Sequence, residues 1–89
     1  MFEWNDGNRA HMWQRHRVRP EECEQAIADP YCVPLSASDV AGVPREAALG
    51  LTEAARLLWI LYEPRDAGYR VVTARGATPR ESRLYWSQR

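Results

Sequence analysis

Across residues 57–62 the apolar side chains Leu57, Trp59 and Leu61 alternate with Leu58, Ile60 and Tyr62. An extended chain sends successive side chains to opposite sides, so a strand over residues 56–63 is apolar on both faces, which predicts the centre of a sheet. Tyr69, Val71, Val72 and Thr73 are aromatic or β-branched and predict a second strand, broken by Gly76. Between the two strands, Pro64, Asp66 and Gly68 supply turn chemistry. Residues 45–52 predict a further strand, leading into a turn at 53–55. Residues 31–35 predict another, which Pro34 confines to a sheet edge.

The helices are marked by their starts. Thr78 can cap a helix that has Pro79 at its first position and Glu81 reaching back to the cap N–H. Pro20 opens another, with Glu21 and Glu22 at the positive end of its dipole. Arg19 is a poor cap for it. Cys23, Ala26 and Ile27 form the buried stripe of this helix, Val18 can staple onto Cys23, and Asp29 and Pro30 end it. Ahead of it, Asp6 can cap a short helix at residues 8–16 whose apolar side chains are Ala10, Met12 and Trp13. Residues 2–4 alternate apolar and polar as a short strand would, and residues 36–44 read as a loop, expected to be the mobile segment. The expected class is α+β: two N-terminal helices, an antiparallel sheet of four to five strands, and a C-terminal helix.

A chain of 89 residues bounds a single domain, residues 1–89, with a limited core. A hydrophobic content of 45% and four tryptophans exclude disorder. Net charge is zero but polarised: residues 1–43 carry −3 and residues 44–89 carry +3. Between residues 70 and 89, five arginines face the single acid Glu81. Such an excess suits a phosphate-bearing partner, although on charge alone a solvated basic helix is the preferred reading. All twelve basic residues are arginine, which excludes a lysine base or Schiff base. Cys23 and Cys32 match no metal or redox spacing and read as reduced thiols. His11 and His16 are five apart rather than four, so no metal site and no cofactor is expected. The apolar runs are too short to span a membrane and the start of the chain lacks a signal-peptide pattern, so a cytoplasmic location is expected.

Several segments together resemble one family. They are FEW at residues 2–4, RHRV at 15–18, the Asp29-Pro30 step, REAALGLTEAARLLWILY at 45–62, and RVVTARGAT at 70–78 followed by Glu81 and Tyr85. On these residues the chain resembles the BrnT toxins of bacterial type II toxin–antitoxin systems, ribonucleases with a RelE-like fold. The family usually has lysine, histidine and glycine where this chain has Arg15, His16 and Arg17. The missing glycine implies a differently shaped end to the first helix.

The resemblance implies metal-independent RNA cleavage, in which a 2′-hydroxyl attacks the neighbouring phosphate and translation is inhibited. Such a step needs a proton acceptor, cations around the phosphorane oxygens and a donor for the leaving oxygen. DNA lacks the hydroxyl and should survive. Arg45, Arg70, Arg75 and Arg80 are the phosphate-clamp candidates. On an unbroken strand Arg70 and Arg75 point to opposite faces, so they can both line one site only if the strand ends or bulges before Arg75. Arg75, beside Gly76, is the favoured catalytic cation. Glu81 is a base or orienter, although its capping position already accounts for it. Glu46 is a second carboxylate candidate. His16 is a proton-transfer candidate, since histidine changes charge near neutrality, although a helix C-terminus also suits it. Arg83 and Tyr85 are further RNA-binding candidates, although for Tyr85 packing of the last helix on the sheet is the preferred reading.

The partners implied by the resemblance are an RNA substrate and a BrnA-like antitoxin with a ribbon-helix-helix DNA-binding part, through which alone operator DNA would be reached. Two other readings stay open. One is a non-catalytic module that keeps the fold and binds an antitoxin-like partner; the other is an RNA-binding protein that leaves RNA intact.

Overall fold

The computed structural model describes residues 2–36, 44–66 and 68–89. The segment expected to be mobile, residues 36–44, lies outside them except for its two ends. Among the described residues the order is β1 (Phe2–Glu3), α1 (Asp6–His16), α2 (Pro20–Ala28), β2 (Val33–Leu35), β3 (Glu46–Leu51), β4 (Leu57–Arg65), β5 (Gly68–Gly76) and α3 (Pro79–Ser87). The five strands form one sheet in the order β1-β5-β4-β3-β2, and the class is α+β. β4, apolar on both faces, is the central strand. β2 carries Pro34 at the edge, where a missing backbone donor does no harm.

The sheet is mixed rather than wholly antiparallel. β1 runs parallel to β5, with Phe2 opposite Tyr69 and Glu3 opposite Arg70. A parallel partner needs a long connection, and the chain from α1 through β4 provides it. The meander β2 to β5 is antiparallel as expected. Pro64 and Arg65 belong to β4 and Gly68 to β5, so the hairpin turn is tighter than residues 64–68.

α1 begins at Asp6 itself, the residue expected to cap it, and its cap lies one residue earlier. Asn5, not Asp6, accepts the Asn8 N–H (2.9 Å), and the Asn8 side chain accepts the Asn5 N–H (2.9 Å), a reciprocal box. Of its apolar residues only Met12 is buried; Trp13 is 41% exposed and lies between the guanidiniums of Arg17 and Arg19 at 5.2 and 5.0 Å.

The end of α1 corrects an expectation. Arg17 adopts φ 55°, ψ 43°, the left-handed conformation that glycine takes at low cost. Its N–H reaches the Trp13 carbonyl (3.1 Å) and that of Val18 reaches Met12 (3.3 Å). Without glycine the turn is kept, because Arg56 holds it from outside: its guanidinium donates to the carbonyls of His16 (3.0 Å) and Arg17 (2.7 Å) and pairs with Glu22 (3.2 Å).

α2 follows the sequence closely. Cys23 and Ala26 are fully buried and Ile27 is half-buried, with Val18 buried in the same cluster. Glu22 accepts the Arg19 N–H (3.0 Å), the reciprocal half of a capping box; the arginine side chain has no acceptor for the other half, and the Glu22 N–H bonds to the Arg19 carbonyl instead (3.0 Å). The core lies between these two helices and the Leu58, Ile60 and Tyr62 face of β4, joined by Val71 and Ala74 of β5. The other face, with Ala47 and Leu49 of β3, is covered in part by α3.

α2 approaches β3 so closely that one position admits no side chain. A Cβ on Gly50 would lie 2.6 Å from the Ala26 carbonyl carbon and closer still to its oxygen. Since the obstacle is backbone, it cannot rotate away. Gly50→Ala is expected to cost about 3 kcal/mol and lower the unfolding midpoint by roughly 10–20 °C, measured by calorimetry. Arg17→Gly is expected to do the reverse, relieving left-handed strain worth about 1 kcal/mol and raising the midpoint in the same assay.

Candidate active site

Nine residues of β5 carry both Arg70 and Arg75, and the pairing with β4 decides where they point. From Leu58↔Gly76 to Leu61↔Thr73 the register is regular, after which Tyr62 faces Val71, leaving Val72 as an extra residue on β5. This is a β-bulge, and it reverses the alternation. Val71 and Ala74, three apart, therefore both reach the helix-covered core. Arg70 opposite Glu63 and Arg75 opposite Trp59 consequently share the other face, since residues 59 and 63 of β4 have the same parity. The condition under which the two arginines could line one surface is met.

Arg75 is held on three sides. Its guanidinium stacks over the Trp59 ring at 4.3 Å. Nη1 and Nη2 donate to Oε1 and Oε2 of Glu81 at 2.8 and 3.1 Å, and Nη1 also donates to the Gly76 carbonyl (3.2 Å). Such a fork pairing fixes the cation in plane and direction. Glu81 is held in turn by the Thr78 N–H (2.9 Å), while Thr78 Oγ1 accepts the Glu81 N–H (3.2 Å): the capping box read from the sequence. The Arg75 hydrogen bond lowers the Glu81 pKa against the opposing effect of burial, helped by Thr78. Glu81 is thus a poor proton acceptor and a good orienter.

Arg45 lies at the other end of the same face. It donates through Nε to the buried Glu63 (3.3 Å), which also accepts from Arg65 (3.2 Å). Arg65 reaches Glu3 as well, at 3.6 Å. Arg70 lines a cleft of about 230 Å³ with Asn8, Arg45, Glu63, Val71 and Val72. Among the described residues Arg70 pairs with no carboxylate.

The other candidates lie apart from the pair. Glu46 accepts from the Tyr62 hydroxyl (3.0 Å), and burial with that bond pushes Tyr62 up to about 12. It therefore points to the helix side, away from Arg45. His16 ends α1 with its ring edge-on to His11 at 5.9 Å, and the His11 ring lies 3.2 Å from Thr73 Oγ1. Arg80 and Arg83 are exposed on α3. Tyr85 is fully buried and donates its hydroxyl to Asp29; burial and that carboxylate push it up to about 12. Among the described residues no three His, Cys, Asp or Glu side chains gather as metal ligands would. No described helix is long and apolar enough to cross a membrane.

Sequence reading missed Trp59 and Glu63. Both were legible only as alternating strand residues, because their partners are set by cross-strand register. Asn8, whose side chain donates to the Val71 carbonyl (3.1 Å) at the bulge, carried no local signal either.

The class the structure defines is a small α+β domain with three arginines on one sheet face, one of them clamped by a carboxylate and an indole. The chain belongs to the family described as "Ribonuclease toxin, BrnT, of type II toxin-antitoxin system", whose model matches residues 4–81. No curated protein matches the chain. As a ribonuclease toxin of a type II system it has RNA as its substrate class and an antitoxin as its partner.

The Arg75–Glu81 pair should show in acid. Because the Glu81 pKa is lowered on folding, its stabilisation is present above the ordinary value of 4.5 and is lost as pH falls through the lower folded value. Wild type is expected to exceed Arg75→Gln by on the order of 1 kcal/mol between pH 5 and 7. In thermal unfolding across pH the gap closes below 4.5; a gap independent of pH would contradict the pairing.

Proposed function

We propose that this domain cleaves RNA without a metal ion, by attack of a 2′-hydroxyl on the adjacent phosphate, with Arg75 as the cation at the phosphorane. The observation that carries this is the Val72 bulge, which sets Arg70 and Arg75 on the same sheet face as Arg45. In this reading Glu81 and Trp59 orient Arg75, and the Arg75 Nε–H, unpartnered among the described residues, is open to a phosphate oxygen. Arg45 and Arg70 hold the RNA backbone, and Arg80 and Arg83 add positive potential from α3. His16 is the proposed proton carrier, to be brought to the phosphate by the bound RNA. Tyr85 supports the site from within by anchoring α3 to Asp29.

The same reading places the protein in the cytoplasm, where cleavage inhibits translation. Its partner is a BrnA-like antitoxin with a ribbon-helix-helix part, and operator DNA is contacted through that antitoxin alone. One observation favours a second reading, a binding module without catalysis: Arg75 and Arg45 are both already engaged by carboxylates, Glu81 and Glu63.

Purified protein incubated with RNA in EDTA separates the two. Wild type is expected to cut RNA and spare the matched DNA, and folded Arg75→Ala to lose about 10²–10³-fold in rate. Intact RNA from folded wild type, with and without ribosomes, would instead establish the binding module.

A further inference from the structure

The arginines on the sheet face differ in how they are occupied. Arg75 is clamped by Glu81 and Trp59, and Arg45 is bonded to Glu63. Arg70 sits across from Glu63 and Glu3, yet both carboxylates bond elsewhere, Glu63 to Arg45 and Arg65, and Glu3 to Arg65. Among the described residues Arg70 thus lines its 230 Å³ cleft, shared with Glu63, without an ion pair of its own, in a chain whose net charge is zero. A guanidinium in that state suits one phosphate.

Spacing supplies the second half of the argument. Arg70 and Arg75 stand opposite Glu63 and Trp59. Four residues of regular strand separate those two, about 13 Å at the usual rise. This distance exceeds the step between neighbouring phosphates in a chain. Between the arginines the face carries half-buried Leu61 and Thr73, with Trp59 at one end. The Trp59 ring is stacked by Arg75 and the Thr73 hydroxyl lies 3.2 Å from the His11 ring, so Leu61 is the apolar surface between the two cations, and it suits the face of an unstacked base, which a single strand presents and a duplex conceals.

We infer that β5 is a two-phosphate track for single-stranded RNA: the scissile phosphate lies at Arg75 and a non-adjacent phosphate in the Arg70 cleft, so a dinucleotide fills only half of the site. This rests on the ribonuclease reading for the identity of the Arg75 end. The Arg70 end stands on binding alone. An acidic segment of a protein partner could also satisfy a guanidinium, but a second cation about 13 Å away on the same face, with half-buried Leu61 between the two, favours RNA.

The test pairs cleavage with binding, using wild type and Arg70→Gln, whose fold is checked by its unfolding midpoint. Substrates are a dinucleotide and single-stranded oligonucleotides extended by two and four nucleotides on either side of the same step. The expected result is a rise in wild-type kcat/KM on extension in one direction. The loss caused by Arg70→Gln should be about tenfold larger on the extended strand than on the dinucleotide. For binding, fluorescence anisotropy with a labelled, 2′-O-methylated hexanucleotide should show the salt slope of log K falling by about one in Arg70→Gln, with little affinity for the matched duplex. Equal losses at all lengths would overturn the track while leaving the ribonuclease standing. Absent cleavage together with the expected binding change would overturn the ribonuclease and keep the Arg70 site for single strands. Unchanged RNA affinity and slope in Arg70→Gln would overturn the track and leave that arginine to an acidic protein partner.

Discussion

The Asp29 carboxylate is the interaction on which most of this architecture depends. It accepts the N–H of Tyr31 (3.0 Å), the N–H of Leu51 (2.9 Å) and the hydroxyl of Tyr85. These donors come from the turn after α2, the end of β3 and the middle of α3. Burial works to raise the Asp29 pKa, but the bonds from Tyr85, Tyr31 and Leu51, with Arg89 nearby, outweigh it and lower it. The group is therefore an ionised acceptor with its donors in place, the arrangement that makes a partly buried charge stabilising rather than costly. Gly50, next to Leu51, lets α2 come close enough for the node to close.

A nine-residue helix has little stability of its own, so α3 lies where its anchors put it. Tyr85 provides the anchor on the β3 side through Asp29, and Glu81 provides the other through Arg75 on β5. The two are one helical turn apart, so both bonds form from one helix face. The position of the carboxylate that orients Arg75 is thereby inherited from a hydrogen bond two strands across the sheet, at the end of β3. Structure and site are coupled through a single short helix.

Legibility followed the range of the interaction. The Thr78-Pro79-Glu81 cap, the Pro20 start of α2 and the doubly apolar β4 were all readable, because each is decided within a few residues. The parallel docking of β1 was not, since the partner of Phe2 lies 67 positions away at Tyr69. Val72 gives no sign of being a bulge, as a β-branched residue in a β-branched run. Yet that one extra residue decides whether Arg70 and Arg75 share a face. The left-handed Arg17 was misjudged for a related reason: the absent glycine is local, but the Arg56 guanidinium that sustains the turn arrives from β4's approach, 39 positions later.

The Arg75–Glu81 pair also shows why occupied arginines and phosphate binding are compatible. Glu81 Oε1 accepts from the Arg75 Nη1 and from the Thr78 N–H, so the carboxylate remains anchored by the cap if the guanidinium turns toward another anion. Release then gives up an ion pair that is partly open to solvent, with side-chain exposures of 32% and 19%, rather than leaving a stranded buried charge. The Trp59 stacking does not depend on that ion pair, because a π face holds a cation without fixing its in-plane hydrogen bonds. An arginine with one partner on its face and another at Nη1 and Nη2 is thus held in position without being spent: in the proposed reading its Nε–H is left for a phosphate oxygen, and a second oxygen need only compete with Glu81.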